Sequence, residues 1–311
     1  MRPMTTMHDE GGLLAAARAG DERAFGELVD PYRRALEVHC YRMLGSLHDA
    51  EDALQDTLLK AWRSLDRFEG RASAQTWLYR IATNTCLDEL ERRPRRAEVA
   101  VDPYPDARLE DAVSPIADPA ARYAQREGIE LAFLTSIQRL PGRQRVVLIL
   151  RDVLGWSGAE TAELLESSVA AVHSALQRAR ATVDLQLPAR SAFPRRASES
   201  ELLRRYVDAW ERADMRGLVA LMREDAMLLM PPQQAIAGAD AVAAFFARAR
   251  ARSELTASAA WANGSPAVAI RRRGADGALS PYRLLVLDTE GGRIARLSAH
   301  GEPRVLAAFA P

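Results

Sequence analysis

The sequence of 311 residues has few cysteines, almost no lysine and no long apolar run. Its two cysteines, Cys40 and Cys86, are too few and too far apart for a disulfide framework, and the absence of CxxC or HExxH spacings argues against a metal site. No apolar run approaches the roughly 18 residues of a membrane-spanning helix, and the polar start does not resemble a signal peptide. These absences predict a soluble cytoplasmic protein with no cofactor and no membrane contact.

The chain also lacks net charge, because 42 basic and 42 acidic residues cancel. A surface for nucleic acid must therefore be a local basic patch that acidic segments balance elsewhere. Almost all the basic residues are arginines, and Lys60 is the only lysine. With 48% apolar residues the composition is that of a soluble globular protein, and the length predicts two or three domains.

Composition divides the chain into five parts. Residues 12–94 and 123–187 have the apolar spacing of helices, whereas the acidic, proline-rich residues 95–122 have the composition of an extended tether without a core. A second tether is predicted at residues 188–199. In residues 200–311, helical patterns precede β-like runs separated by turn signals, which indicates an α+β domain. The predicted strands are residues 256–262, 267–272, 282–287 and 293–299.

The most informative stretch, residues 155–180, has the pattern of a helix-turn-helix. Ser157 and Glu160 have capping-box spacing, which marks the start of its first helix. Spacings of three, four and seven predict that the second helix buries Val169, Val172 and Leu176. The side chains left to contact base edges or phosphates are His173, Ser174, Gln177, Arg178 and Arg180. Two ordinary amphipathic helices are the alternative interpretation.

Residues 49–62 form a predicted amphipathic helix with a second, largely acidic stripe at i, i+3, i+4 and i+7. The stripe consists of Asp52, Gln55, Asp56 and Leu59. Such a stripe is usually solvated surface, but an exposed leucine within it is typical of a docking surface. The next helix carries Trp77 and Tyr79 beside arginines, a combination that single-strand binders use, although core packing is the commoner fate of such aromatics.

Two motifs, DAEDALQDTLLKAW with TWLYRIATN and RLPGRQRVVLILRDVLGWSGAETAELLESSVAAVHSALQRAR, resemble regions 2 and 4 of the extracytoplasmic-function (ECF, group IV) sigma factors of the sigma-70 family. The resemblance covers about residues 12–187. It implies two all-α domains, a region 2 bundle and a region 4 helix-turn-helix. The chain departs from the family pattern at Glu166, where glycine is usual, and at His173, where Lys or Asn is frequent.

The resemblance also implies partners and residue roles. The partners are promoter DNA and core RNA polymerase, through the clamp coiled coil of its largest subunit and its flap. The residues that would dock on the clamp are Asp52, Gln55, Asp56 and Leu59. The melted minus-ten element would be held by Phe68, Trp77, Arg80 and Asn84. The duplex minus-thirty-five element would be bound by His173, Ser174, Gln177, Arg178 and Arg180. The acidic linker would thread the polymerase cleft.

Residues 200–311 resemble the SnoaL-like cone, an α+β domain whose curved sheet and helices close a pocket. The segments that carry this resemblance are ELLRRYVDAWERADMRGLVALMREDAMLLMPP and GRIARLSAH. The resemblance implies a built-in regulatory domain, whose pocket could hold an unknown small molecule. The predicted lining of that pocket is Asp225, Trp261, Tyr282 and His300. The expected core residues are Leu228, Met230, Phe245 and Phe246.

The resulting hypothesis is a multidomain, non-enzymatic sigma factor that gives core polymerase promoter recognition, stabilises promoter melting and is regulated by its own C-terminal domain. One alternative is a helix-turn-helix repressor with a ligand-binding domain, which would bind duplex DNA tightly without polymerase. The other is a SnoaL-like isomerase or cyclase, in which an Asp–His pair would do acid–base chemistry.

Overall fold

The computed structural model describes residues 10–68, 70, 73–92, 101–110, 131–186 and 195–310. The chain forms two compact units, the first comprising Met1–Val101 with Arg108–Leu187 and the second Asp102–Ala107 with Pro188–Pro311. Both sigma-like blocks therefore share one unit instead of forming separate compact domains. Residues 123–130 and most of the two expected tethers lie outside the described residues. No helix within the described ranges is long and apolar enough to cross a membrane.

The N-terminal part of the first unit consists of four helices. They are α1 (Glu10–Arg18), α2 (Glu22–Leu44), α3 (Leu47–Ser64) and α4 (Ala74–Arg92), with a 3-10 turn at Leu65–Arg67. The carboxylate of Asp21 caps α2 by accepting the N–H groups of Arg23 and Ala24, and Gly45 ends the helix with a φ of 73°. The helices pack around fully buried side chains such as Leu36, Tyr41, Leu47 and Leu78.

The short helix α5 (Asp106–Glu110) spans the boundary between the two units. The remaining helices of the first unit include the predicted helix-turn-helix. They are α6 (Leu131–Gln138), α7 (Gly142–Leu148), α8 (Gly158–Leu164) and α9 (Val169–Gln186), with a π-helical turn at Ile149–Val153. The capping box that begins α8 is confirmed, because Ser157 Oγ accepts the Glu160 N–H at 3.1 Å and the Glu160 carboxylate accepts the Ser157 N–H at 2.7 Å.

The buried face of α9 differs from the prediction at one position. Val172 and Leu176 are buried as predicted, but Val169 is 45% exposed. Val169 lies in the first turn of α9 beside Gly158 of α8, and a glycine has no side chain to cover it. The apolar spacing was thus correct for the middle of the helix and wrong at its end.

The second unit is an α+β domain, as predicted, and its single sheet is mixed. Its helices are α10 (Arg195–Glu211), α11 (Met215–Leu221), α12 (Ala239–Arg252) and α13 (Pro303–Ala308). Its strands are β1 (Met222–Leu229), β2 (Ile236–Ala237), β3 (Leu255–Ala262), β4 (Ser265–Arg273), β5 (Leu279–Glu290) and β6 (Arg293–His300). The strand order is β2-β1-β6-β5-β4-β3; β1 is parallel to β6, and the other neighbours are antiparallel.

The four predicted strands are confirmed as β3 to β6, whereas β1, β2 and α13 were not predicted. In β1 only Met222, Ala226 and Leu228 are buried, because the charged residues 223–225 interrupt the apolar alternation. The expected second tether is also shorter than predicted, since α10 already begins at Arg195.

Helices cover one face of this sheet and form the main core of the domain. Trp210 of α10 packs edge-on against Phe246 of α12, with ring centroids 5.3 Å apart. Leu228 and Phe246 are buried, and Met230 and Phe245 pack against the same cluster, as predicted. Along β5, Leu285 and Leu287 belong to this helix-covered core, and the alternation of a strand turns Leu284 and Val286 to the opposite face.

The described part of the first linker is not the extended tether that its composition predicted. Tyr104 is fully buried in the second unit, where its N–H donates to Asn263 Oδ1 at 2.7 Å and its carbonyl accepts the Asn263 N–H at 3.0 Å. The Asp106 carboxylate accepts the Gly264 N–H at 3.0 Å, and Pro105 forms a β-bridge with Ala262. Tyr104 thus anchors the linker segment to the second unit, although the prolines and acidic residues of the linker predicted no anchored structure.

Two buried donors on α10 permit a stability test. The hydroxyl of Tyr206 and the indole N–H of Trp210 are buried without a hydrogen-bond partner among the described residues. Because an unpaired buried polar group costs about 1–3 kcal/mol, Tyr206→Phe is expected to raise the free energy of unfolding by about 1 kcal/mol in urea titrations. Thr83→Val is the matched comparison and should destabilise, since the Thr83 hydroxyl bonds buried His39 at 3.0 Å. A clear loss of stability in Tyr206→Phe would contradict the conclusion that its hydroxyl is an unpaired, destabilising group.

Candidate polymerase and promoter-binding surfaces

The predicted polymerase-docking residues share one exposed face of α3, which we call the α3 surface. It consists of Asp52, Gln55, Asp56 and Leu59, all exposed. The opposite face of the helix is buried through Ala53, Leu54, Thr57 and Ala61. Leu59 is 52% exposed, and an exposed leucine flanked by carboxylates is characteristic of a contact surface. The structure thus brings all four predicted residues together.

The predicted minus-ten residues lie on or beside α4. Phe68 precedes the helix and is buried under Trp77, with ring centroids 4.7 Å apart and planes at 29°. Trp77, Arg80 and Asn84 follow at i, i+3 and i+7, so they share one helix face. Asn84 is exposed, whereas Arg80 is partly covered and donates from Nη2 to the carbonyl of Glu163 in α8 at 3.0 Å.

Tyr79 behaves as the core alternative predicted. It is buried, its ring lies 5.1 Å from that of His39 and 5.4 Å from that of Trp156, and burial raises its pKa to about 12. The same environment lowers the pKa of His39 to about 3, because a charged imidazole would lose its hydration there and would be repelled by Arg42. The aromatics near α4 therefore divide into a core residue, Tyr79, and a stacked pair in which buried Phe68 lies under partly exposed Trp77.

Four of the five predicted minus-thirty-five residues are exposed on α9 without a described hydrogen bond from their side chains. They are His173, Ser174, Gln177 and Arg178. Arg180 differs, because its guanidinium forms a bidentate ion pair with the Asp152 carboxylate at 2.6 and 2.8 Å. That pair raises the pKa of Arg180 and fixes its orientation, so the freely available part of the predicted set is the first four residues.

The predicted lining of the C-terminal pocket is not brought together. Asp225 is exposed on β1 and paired with Arg223 at 2.8 Å, which holds the pKa of its carboxyl below the usual range. Trp261 and Tyr282 pack against the helix-covered core. His300 alternates along β6 with Ala299 of that core, so it faces the opposite side, where burial lowers its pKa. Within the described ranges, no cluster of His, Cys, Asp or Glu could hold a metal ion.

Sequence reasoning missed two sets of residues. Tyr104 and Asn263 anchor the linker segment, and the available signals were the lone aromatic of residues 95–122 and the Asn-Gly turn at Asn263. Gln138 and Arg145 are polar residues buried in the helical unit, and no local sequence pattern predicted their burial. Their partners lie about a hundred positions away in the sequence, at the end of α2.

Three family models match the chain in the order of the structural blocks. Residues 28–96 match sigma-70 region 2, residues 130–183 match sigma-70 region 4, and residues 203–297 match the SnoaL-like domain. With the two helical regions and the α+β domain described above, these matches define a sigma-70-type transcription initiation factor with an appended domain.

Individual relatives narrow the class. The chain is 40% identical over 314 residues to the ECF RNA polymerase sigma factor SigG of Mycobacterium tuberculosis H37Rv, covering 94% of this chain and 84% of the relative. It is 30% identical to the ECF sigma factor SigW of Bacillus subtilis 168, over 56% of this chain and 94% of the relative. The chain belongs to the ECF RNA polymerase sigma factors. Its fold is similar to that of the M. tuberculosis ECF sigma factor SigJ, with a TM-score of 0.55, 23% identity, and coverage of 91% of this chain and 98% of SigJ.

In the turn of the helix-turn-helix, Glu166 stands where the family usually has glycine, and the effect of this difference on stability can be tested. Glu166 has a φ of 48°, the left-handed region in which glycine meets no steric cost from a Cβ, and its side chain is exposed. Glu166→Gly is therefore expected to raise the free energy of unfolding by about 1 kcal/mol, measured by thermal or urea unfolding. Glu166→Ala should give no such gain, because it removes the same carboxylate and keeps the Cβ. Equal stability of both variants would contradict this explanation.

Proposed function

We propose that this sigma factor uses three surfaces, one to bind core polymerase, one to bind the minus-ten strand and one to bind the minus-thirty-five element. We further propose that its C-terminal domain inhibits it by holding the linker. ECF sigma factors are non-enzymatic initiation factors that give core RNA polymerase promoter recognition. The protein is accordingly a cytoplasmic partner of core polymerase and promoter DNA. Neither the repressor nor the isomerase alternative explains a region 2 match that includes the α3 surface.

The α3 surface is proposed to dock on the clamp coiled coil of the largest polymerase subunit. The observation that supports this role is the exposed Leu59, framed on its own helix by two carboxylates and an amide. An apolar anchor surrounded by charge fits a partner with an apolar contact and a basic rim.

The stacked pair of Phe68 and Trp77, with Arg80 and Asn84 on the same side of α4, is proposed to hold the melted minus-ten strand. Unstacking a base costs a few kcal/mol, which aromatic stacking and contacts to the strand must offset. Half-buried Trp77 and exposed Asn84 offer a ring face and an amide for this purpose.

The exposed side chains of α9 are proposed to bind the minus-thirty-five element in the major groove. His173, Ser174 and Gln177 can exchange hydrogen bonds with base edges, and Arg178 can contact phosphate or guanine. Arg180 is proposed to contact phosphate only after exchanging Asp152 for it.

Inhibition by the C-terminal domain is supported by the capture of residues 102–106. The family resemblance implies that the linker passes through the polymerase cleft. Here, however, Tyr104 is buried, its N–H donates to Asn263 Oδ1, and its carbonyl accepts the Asn263 N–H. A linker held in this way is not available to the cleft, so polymerase must first displace it. The buried Tyr104 is the observation that carries this proposal.

The docking role predicts a charge-reversal effect. Asp52→Arg with Asp56→Arg is expected to weaken binding to core polymerase at least about tenfold, because both changes repel a basic rim. The measurement is the affinity for core enzyme by fluorescence anisotropy. Asp30→Arg with Asp66→Arg makes the same charge change at exposed positions on other elements and should leave binding intact. Unchanged affinity in the α3 variant would overturn the docking assignment.

The linker role predicts a gain of activity. Asn263→Gly removes the acceptor for the Tyr104 N–H while allowing the φ of 52° at position 263, and Tyr104→Ala removes the buried ring. Both are expected to raise promoter-specific run-off transcription several-fold, as is truncation after Leu187. Asp276→Ala, in an exposed turn of the same domain, is the control. Loss of activity in the linker variants and the truncation would show that the domain is required instead of inhibitory.

A further inference from the structure

The two sigma regions are joined by a buried polar contact at the end of α2. Gln138, at the end of α6, donates from Nε2 to the carbonyl of Arg42 at 2.9 Å. Arg145 of α7 donates from Nη1 to the carbonyl of Met43, and to Gln138 Oε1 at 2.6 Å. Both region 4 side chains are buried. We call this set of contacts, from Gln138 and Arg145 to the last turn of α2, the latch.

The chemistry of the latch suits a helix C-terminus. The last carbonyls of a helix have no partner within it, and the helix dipole favours a cation there. An arginine and an amide from region 4 supply both the donors and the positive charge. Partial opening would break the hydrogen bonds of the buried guanidinium without returning it to water, which costs free energy. The contact therefore favours one well-defined closed conformation.

Two glycines allow the close approach that the latch needs. At Gly45, which caps α2, a Cβ would lie 2.9 Å from Cδ of Gln138. At Gly142, the first residue of α7, a Cβ would lie 3.0 Å from Leu87 and 3.4 Å from Leu90 on α4. The contact between the regions therefore has little spare volume at either point.

The same packing covers part of the predicted minus-ten surface. The guanidinium of Arg80 on α4 donates to the Glu163 carbonyl of region 4 at 3.0 Å, and Tyr79 lies beside Trp156. A nucleotide that uses this donor of Arg80 must displace α8.

The geometry of a promoter conflicts with this arrangement. The minus-ten and minus-thirty-five elements are centred about 25 base pairs apart, which is about 85 Å at 3.4 Å per base pair. Helix α9 has 18 residues, about 27 Å at 1.5 Å per residue, and follows directly after α8. A region 4 whose α8 touches Arg80 cannot place α9 on a site about 85 Å from the minus-ten element.

We propose that Gln138 and Arg145 form a latch that holds a closed state of this sigma factor, in which region 4 covers Arg80, and that this latch opens before both promoter elements are bound. The inference rests on the proposed minus-ten and minus-thirty-five roles. The α3 surface is exposed in the closed state, so docking on polymerase does not itself require opening.

A reversible cross-link tests whether opening is obligatory. Leu90→Cys with Arg143→Cys in the full chain places one partly exposed and one exposed thiol across the contact without adding a Cβ at Gly142, while the natural Cys40 and Cys86 are buried. Joining them with a short, reducible bis-thiol reagent is expected to lower run-off transcription with core polymerase at least tenfold, without lowering core binding. Reduction should restore activity, which excludes misfolding as the cause. Each single-cysteine variant, treated with the same reagent, is the control.

The outcomes separate the latch from the proposed function. Full transcription by the cross-linked protein would overturn the latch while leaving the sigma assignment intact. If the reduced double variant, both single-cysteine controls and the unmodified chain all failed to support transcription, the proposed function itself would be overturned.

A second experiment measures the closed state directly. Spin labels at Glu91→Cys on α4 and Ala171→Cys on α9, both exposed positions, report the separation of the regions in the free protein. Gln138→Ala removes the bond to the Arg42 carbonyl and the side-chain acceptor of Arg145. It is expected to raise the fraction of long distances at least about tenfold, the effect of losing one buried hydrogen bond. Arg143→Ala, at an exposed position of α7, should not change the distribution. An identical distribution in Gln138→Ala would overturn the role of Gln138 in the latch.

Discussion

The end of α2 imposes the constraint on which the helical unit depends. A helix that ends in the protein interior leaves carbonyls that must find donors, and α2 ends among buried residues. Its donors come from Gln138 and Arg145 of region 4. Because these donors come from region 4, the carbonyls at the end of α2 are hydrogen-bonded to them only when region 4 packs against region 2. This explains why the two helical blocks form one compact unit in the free chain.

The linker obeys a similar constraint in the other unit. Tyr104 brings its backbone N–H and carbonyl into a buried position, and Asn263 satisfies both. The turn at Asn263 and Gly264 is set up for this, since both residues have left-handed φ values that direct the N–H groups toward the linker. One segment of about six residues therefore ties the path of the chain between the two sigma regions to the integrity of the C-terminal domain.

Local signals made part of this structure predictable. The capping box, the β3–β6 runs and the exposed stripe on α3 depend on residues within a few positions of each other, and all are confirmed. What could not be predicted depends on distant partners. The burial of Tyr104 requires Asn263, the burial of Arg145 requires the end of α2, and the separation of His300 from Trp261 requires the register of the whole sheet. Composition alone therefore did not predict that Tyr104 is buried, and the family resemblance alone did not predict that His300 and Trp261 face opposite sides of the sheet.

Helix α9 offers few side chains to DNA, which is consistent with a closed state of the free protein. Four exposed side chains and one arginine already paired with Asp152 provide few phosphate contacts, and a chain without net charge gains little from counterion release. We therefore expect the free protein to bind duplex DNA weakly, which leaves little binding energy to open the proposed latch without polymerase. Under the proposed mechanism, docking through the exposed α3 surface would supply further binding energy and would fix the spacing of the two elements. Promoter specificity then belongs to the assembled enzyme, because only there can both surfaces engage at once.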